Sequence, residues 1–370
     1  MLLVYGTRPE AVKLAPVARA IRRRPERLRL TVCTTGQHRE MLVQAHRALD
    51  LAPDVDLDLM RGDQTLNEIA GRVLLDLETL LAERAPDWVL VQGDTTSAAA
   101  AALAAFHRRI RVGHVEAGLR TGDLERPFPE EANRRIVDLV ADALFAPTDL
   151  ARDRLLAEGV PAARIHVTGN TVVDALLDAA GERARSWGPE VLVTVHRRES
   201  FGAPLREILA AIAELAARFP DLRWIYPVHP NPSVRGPARE ILSGAPNVDL
   251  CEPLDYGELL DRLARSRLVL TDSGGLQEEA PSFGKSVLVL RDVTERPEGI
   301  AAGVAELVGT DRGRIVEAAT RWLSGGRSLR DAADVPNPYG DGHAAERIAA
   351  ILAAEPWTPF AAGGPPRHPR

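Results

Sequence analysis

The sequence predicts an α/β protein of two Rossmann-like domains, each a parallel sheet wrapped by helices, with a cleft between them. Three observations carry this. Short apolar runs alternate with longer amphipathic stretches along nearly all of the 370 residues, the rhythm of βαβ units with right-handed crossovers. The series restarts after a break at about 168–189, and the length suffices for two domains of ordinary size. Polar loops follow the strands, at the edge where open α/β sheets bind ligands.

Strands are expected at 2–5, 28–34, 88–92, 111–115 and 143–146. Between them lie helical patterns at 9–23, 38–49, 66–84, 97–107 and 130–140. A helix-like stretch at 172–185 leads to Trp187-Gly188-Pro189 and a second series. Its strands are expected at 191–195, 223–228, 248–250, 268–271 and 287–290, and its helices at 205–218, 256–265, 276–280 and 314–323. The first domain is read as 1–168, the second as 169–352, and the Pro- and Gly-rich tail past 354 as poorly ordered at its end. No repeat of 20–50 residues is visible beyond the βα rhythm.

Composition narrows the class. Hydrophobic residues make up 45% and charged ones 26%, as in a soluble globular protein. The net charge of −6 comes without a basic block, so no nucleic-acid surface is indicated. No apolar run approaches the ~18 residues of a membrane span, and the N-terminus enters a strand without a secretory layout. Cys33 and Cys251 fall in separate predicted strands and read as buried free thiols, which fits the cytoplasm. Nearly all basic residues are Arg; the only lysines are Lys13 and Lys285. Against that background Lys13, near the start of the first helix, is singled out as a residue needed for being Lys.

The loops after the strands carry the chemistry-bearing residues. After strand one, Gly6-Thr7-Arg8-Pro9-Glu10 opens a helix with Pro in its first turn. Arg8 and Lys13 either line an anion site at that helix N-terminus or are solvated basic side chains on a capped helix. After 88–92 comes Gly93-Asp94-Thr95-Thr96, where Asp94 is either an N-cap or a cleft carboxylate. After 111–115 comes Glu116-Ala117-Gly118-Leu119-Arg120, and Glu130 opens the next helix behind two prolines. Two carboxylates in one cleft can act as a base and an acid; the competing reading is a solvated loop.

In the second half, His196-Arg197-Arg198 and His229-Pro230-Asn231 end successive strands, a pairing better explained by a bound anion than by two structural histidines. Asp272-Ser273-Gly274-Gly275 runs from strand to helix, and its small residues let backbone N–H groups approach a phosphate. Glu279, a turn on, suits ribose hydroxyls, and Arg296 is a further anion candidate. Asn337–Gly342 reads as structural, with Asp341 or Gly342 near the cap of the last helix. There is no G-x-G-x-x-G after strand one, so a nicotinamide cofactor is not expected. Walker A, H-E-x-x-H, Cys/His metal and G-x-S-x-G patterns are absent from the sequence too.

Taken in order, these loops resemble the non-hydrolysing UDP-N-acetylglucosamine 2-epimerases. The matching strings are GTRPEAVKLAP at 6–16, TGQHREML at 35–42, GDTTS at 93–97, GHVEAGLRTGD at 113–123 and PEEANR at 129–134. They continue with TGNTVVDALL at 168–177, HRRESFG at 196–202, PVHPNP at 227–232, TDSGGLQEEAPSFGK at 271–285, TERPEG at 294–299 and NPYGDG at 337–342. The resemblance implies the GT-B architecture, two Rossmann-like domains facing an interdomain cleft, with the C-terminal segment at about 353–370 returning to the first domain. It also implies a cytoplasmic homodimer that interconverts UDP-GlcNAc and UDP-ManNAc for cell-surface polysaccharides, with no cofactor and no metal.

By position, Asp94, Glu116 and Glu130 match the family's catalytic carboxylates, and His196 matches a histidine near the diphosphate that is implicated in catalysis. Arg8, Lys13, Ser273, Gly274, Gly275, Glu279 and Arg296 match nucleotide-binding positions. Gln37, Arg120 and His229 lie in loops that hold a second, activating UDP-GlcNAc in some relatives, although Glu40 departs from their pattern. Ser286 stands where proline is common, and Leu259 where an aromatic residue is often found near the uracil. The implied chemistry expels UDP from C1 and removes the C2 proton to give 2-acetamidoglucal, then protonates the other face and returns UDP. The sequence does not divide the roles of base and acid among the three carboxylates. A GT-B glycosyltransferase and a hydrolysing epimerase releasing ManNAc and UDP are the alternatives, and a sensor that binds nucleotide sugar without turnover is a different class.

Overall fold

The computed structural model describes residues 1–36, 49–59, 61–62, 64–180, 188–325 and 334–362. The chain divides into two compact units, the first Met1–Ala175 with Gly340–Arg367 and the second centred on Leu176–Tyr339.

The first unit is built on a seven-stranded sheet of order β3-β2-β1-β4-β5-β6-β7. Its strands are β1 Leu2–Tyr5, β2 Thr31–Thr34, β3 Val55–Asp56, β4 Trp88–Gln92, β5 Arg111–Val115, β6 Ala143–Ala146 and β7 Ile165–Val167. All neighbours are parallel, with Leu2 opposite both Thr31 and Val89. Both faces are covered, so the strands are apolar throughout rather than alternating. In β1, Leu2 and Val4 enter one core while Leu3 and Tyr5 enter the other, as the two-residue period requires. The helix Thr96–His107 presents a run of buried alanines, small enough for close approach to the sheet.

The second unit repeats the plan in a six-stranded parallel sheet of order β10-β9-β8-β11-β12-β13. Its strands are β8 Glu190–Thr194, β9 Arg223–Pro227, β10 Val248–Cys251, β11 Ser266–Thr271, β12 Val287–Val289 and β13 Ala305–Leu307. In both sheets the strand order reverses beside the first strand, between β1 and β4 and between β8 and β11. That reversal is the switch point at which doubly wound sheets take ligands.

Several expectations are corrected. Strands β3, β7 and β13 and the helices Asp149–Ala157, Pro232–Leu242 and Glu298–Ala301 are additional. Two or three residues give no periodicity to read, and Pro232, Gly236 and Pro237 disguise a helix. The predicted helix at 38–49 lies almost entirely outside the described residues. Cys33 is buried, its thiol pushed up to about 12 by that burial, whereas Cys251 is only half-buried.

The boundary between units falls after Ala175 rather than 168, and the return to the first unit begins at Gly340 rather than 353. The cause is the last helix, Ala344–Leu352, whose Ala345, Ile348 and Ala349 join the core beside Leu3 and Tyr5. Two of its first amides, at Ala344 and Ala345, donate to the Asp174 carboxylate at 3.2 and 2.8 Å. The tail is anchored further on by the Phe360 amide donating to the Val167 carbonyl at 2.9 Å.

Candidate functional site

In the first unit the switch-point loops are tied together by Glu10. Its carboxylate accepts from the Gly6 and Thr7 amides at 2.9 and 2.7 Å and from the Thr95 hydroxyl at 2.7 Å. Burial pushes the Glu10 carboxyl up, against four hydrogen bonds that favour its charge. The helix after β4 is capped by Thr95, whose hydroxyl accepts from the Ala98 amide at 3.0 Å. Asp94 is therefore not the N-cap, and its carboxylate faces Arg134 instead, at 2.6 and 3.1 Å. Asn133 donates to the Asp94 carbonyl at 2.9 Å, so the helix Glu130–Val140 grips the Asp94 loop twice.

Glu116 leaves β5 with φ of +72°, a left-handed conformation that costs a non-glycine residue about 1–2 kcal/mol. Such strain persists where surroundings enforce it, often at functional sites. Here the Glu116 and Ala117 amides both donate to the Phe145 carbonyl at 3.1 Å. The Glu116 carboxylate accepts from Lys13 Nζ and Gln92 Nε2, each at 2.5 Å, and is nearly inaccessible. Lys13, expected among the nucleotide-binding positions, is thus engaged with a carboxylate in this structure. Arg8 is half-buried and has no ion-pair partner among the described residues. Glu130 is the first residue of its helix, and its Oε2 is shielded from solvent without a hydrogen-bond partner among the described residues. Glu116 is thus joined through Gln92 to the end of β4, just before Asp94, and Asp94 is joined through Arg134 and Asn133 to the helix that Glu130 begins.

The residues that hold this arrangement were not singled out from the sequence. His114 is fully buried, with Nδ1 at 2.6 Å from Asp138 and Nε2 at 2.8 Å from the Gly93 carbonyl. Asp138 also meets Arg120 Nη1 at 2.7 Å and accepts from the Gly118 amide at 3.2 Å. Burial alone would raise the Asp138 carboxyl, but His114 and Arg120 outweigh it and hold the group low. Glu131, fully buried, accepts from the Thr121 and Gly122 amides at 3.0 and 3.2 Å. Arg120, expected in a second ligand site, is buried here and forked onto Glu158 at 2.8 and 2.7 Å as well as Asp138. Gln37 and Glu40 lie outside the described residues.

In the second unit the corresponding loops follow β8, β9 and β11. His196 is exposed, its Nδ1 3.1 Å from the buried Asp272 carboxylate, and its ring stacks on His229 with centroids 6.3 Å apart. Burial, then the neighbouring His196, lowers the His229 pKa. Ser273 caps the short helix Gly274–Glu279 without a side-chain cap bond of its own.

The two glycines differ. A Cβ on Gly274 would lie 2.7 Å from the Arg296 guanidinium, whereas a Cβ on Gly275 would meet nothing closer than the Ser273 hydroxyl at 3.8 Å. Arg296, expected as an anion site, is buried against Glu278 at 2.5 Å and against Glu295. Burial raises the Glu295 carboxyl, but Arg296, Arg291 and Arg197 together hold it low. Glu279 accepts from the Tyr256 hydroxyl at 3.3 Å; Tyr256 is an aromatic residue in the helix that carries Leu259, and sequence reasoning passed over it. No cluster of metal-ligating side chains occurs among the described residues, and no described helix is long and apolar enough to cross a membrane.

Two parallel sheets with polar loops at their switch points place the chain in the GT-B class of α/β proteins, as its structural neighbours confirm. The sequence profile described as UDP-N-acetylglucosamine 2-epimerase matches residues 19–353. The enzyme of that name from Yersinia pestis is 48% identical over 368 residues, spanning 95% of this chain and 98% of its own length. The Neisseria meningitidis UDP-GlcNAc 2-epimerase, crystallised with UDP-GlcNAc, is 41% identical with a TM-score of 0.90, covering 96% of this chain and 99% of its own. The S. aureus MnaA–UDP co-structure is 42% identical with a TM-score of 0.90, covering 97% and 99%. The chain belongs to the UDP-N-acetylglucosamine 2-epimerase family, and its activity is that of a 2-epimerase.

Proposed function

We propose that this enzyme is the non-hydrolysing kind, interconverting UDP-GlcNAc and UDP-ManNAc by eliminating and re-adding UDP. The C2 proton is not acidified by a neighbouring carbonyl, so direct deprotonation faces a high barrier. Breaking the C1–O bond to UDP puts positive character on C1, and a carboxylate then takes the C2 proton to leave 2-acetamidoglucal. A second carboxyl protonates C2 from the other face, and UDP returns to C1. Asp94, Glu116 and Glu130 supply these groups. The observation that carries this reading is their unequal partnership: Asp94 and Glu116 are each paired with a cation, while Glu130 keeps a shielded oxygen without a partner among the described residues. Ion-paired carboxylates suit taking up a proton or facing a developing cation at C1, and an unpaired one suits returning a proton to C2.

The second unit holds the departing diphosphate through Ser273-Gly274-Gly275 and His196, where N–H donors stabilise the charge that develops. Gly275 fits this reading, because among the described residues nothing obstructs a phosphate at its backbone: an added Cβ would meet nothing closer than the Ser273 hydroxyl at 3.8 Å. Arg8, Lys13, Glu279 and Arg296 complete the nucleotide site, the last by buttressing Gly274. The reading needs no cofactor or metal. We further propose a cytoplasmic homodimer, supported by the exposed Leu75, Phe106, Ile136 and Leu139 on three helices of the first unit and tested by sedimentation.

Incubation with UDP-GlcNAc in deuterium oxide tests the chemistry. UDP-ManNAc carrying deuterium at C2 is expected. Free ManNAc would select the hydrolysing reaction, and absence of exchange would refute proton abstraction.

A further inference from the structure

The switch point of the second sheet holds a pair that the proposed chemistry has used only in part. Thr271 pairs with Thr194 in the register of β11 and β8, which brings Asp272 and His196 side by side at the carboxyl ends of the two strands. Asp272 is fully buried; its amide donates to the Thr194 carbonyl at 3.2 Å. Its Oδ2 accepts from the amides of His196 and Arg197, both at 2.9 Å, and from the Ser200 hydroxyl at 3.3 Å. Its Oδ1 lies 3.1 Å from His196 Nδ1. Oδ1 also accepts a longer bond from the His196 amide at 3.2 Å, so Oδ2 carries most of the loop and Oδ1 faces the ring.

A ring nitrogen facing a carboxylate carries its hydrogen there, which leaves Nε2 as the working atom. No partner meets Nε2 among the described residues, and the side chain is 43% exposed. A buried acceptor behind and an open nitrogen in front is the division between an orienting carboxylate and the histidine it serves.

We propose that Asp272 is the positioning residue of this enzyme: it holds the Nδ1–H of His196, so that the ring meets the diphosphate of the nucleotide sugar as an imidazolium whose Nε2–H donates to it. The inference rests on the placement of His196 at the diphosphate. Loop anchoring and ring orientation are separable by chemistry. In Asp272→Asn the side-chain carbonyl keeps the two backbone N–H donors, and the amide NH2 turns to the ring. Nδ1 then becomes an acceptor, so the ring keeps a hydrogen at Nε2 but cannot carry the second one and stays neutral.

The test is nitrogen-15 NMR of the histidine rings in the full-length enzyme, with UDP-GlcNAc kinetics. With UDP bound, wild type is expected to show His196 protonated at both ring nitrogens, and Asp272→Asn at Nε2 alone. Turnover of the variant should fall by about 10-fold or more, because a charged donor to the developing anion becomes a neutral one, and UDP should bind more weakly. In a His196→Gln background the same substitution should cost almost nothing further. A wild-type His196 protonated at only one ring nitrogen with UDP bound overturns the proposal even if the variant fails to fold. So does an equal loss in both backgrounds, which is what a purely structural clasp would give. Normal turnover by His196→Gln alone would instead refute the placement of His196 at the diphosphate, and the ring spectra would still decide whether Asp272 holds the hydrogen at Nδ1.

Discussion

At the scale of single residues, chemical identity matters most where a side chain is both strained and enclosed. Glu116 combines a left-handed backbone with a carboxylate held by Lys13 and Gln92. Glu116→Gln keeps the shape and loses the charge, so turnover should drop by at least about 10³-fold, a loss typical of a reacting group. UDP affinity, measured by calorimetry, should be unchanged; near-normal turnover would remove Glu116 from the catalytic set. The glycine pair gives a second contrast. Gly274→Ala collides with the Arg296 guanidinium and should cost about 1–3 kcal/mol by overpacking. Gly275→Ala should leave the melting temperature unaltered and weaken UDP binding, and intact affinity would count against a phosphate at that turn. The positions of Asp94, Glu116 and Ser273 were legible because they follow apolar strands. The carboxylate partners of Lys13 and Arg296 were not, because a basic side chain looks the same in sequence whether it meets phosphate or carboxylate.

At the scale of elements, the helix Glu130–Val140 acts as the jig for the first unit's loops. Arg134 and Asn133 hold Asp94, Glu131 holds Thr121 and Gly122, and Asp138 holds His114, Arg120 and Gly118. The helix itself was foreseen to the residue, but these partners lie up to forty positions away in sequence and leave no local pattern. Asp138 makes the jig testable by pH. Its folded pKa is depressed, while the unfolded value is about 3.9. Its stabilisation is therefore fully present above about pH 4 and is lost as pH falls toward the folded pKa. Asp138→Asn should lower stability by about 3–5 kcal/mol at neutral pH, the usual result of breaking a buried ion pair. In urea titrations the gap between wild type and variant should narrow below about pH 4. A gap that stays constant with pH would mean that the ion pairs with His114 and Arg120 do not set it.

At the scale of the whole molecule, the chain leaves the first unit along the helix Thr171–Ala180 and comes back at Gly340. The family resemblance implied a return, but the βα rhythm concealed where it begins, since one more helix beyond the last βα unit reads as part of the same domain. What decides its home is long-range: Glu346 and Glu355 meet Arg24, and Arg347 donates to the Thr168 carbonyl at 3.0 Å. Asp174, which precedes the boundary, serves as the N-terminal acceptor for the helix Ala344–Leu352. Losing an N-terminal acceptor costs a helix about 1 kcal/mol, up to about 2 where the amides stay buried. Asp174→Ala should therefore lower the stability of the first unit by that amount and speed amide hydrogen exchange at Ala344 and Ala345. Removing everything after Tyr339 should do far more, because Ile348 and its neighbours would no longer cover Leu3 and Tyr5. If the shortened chain melted at the temperature of the full one, the last helix would be a passenger on the first unit rather than part of its core.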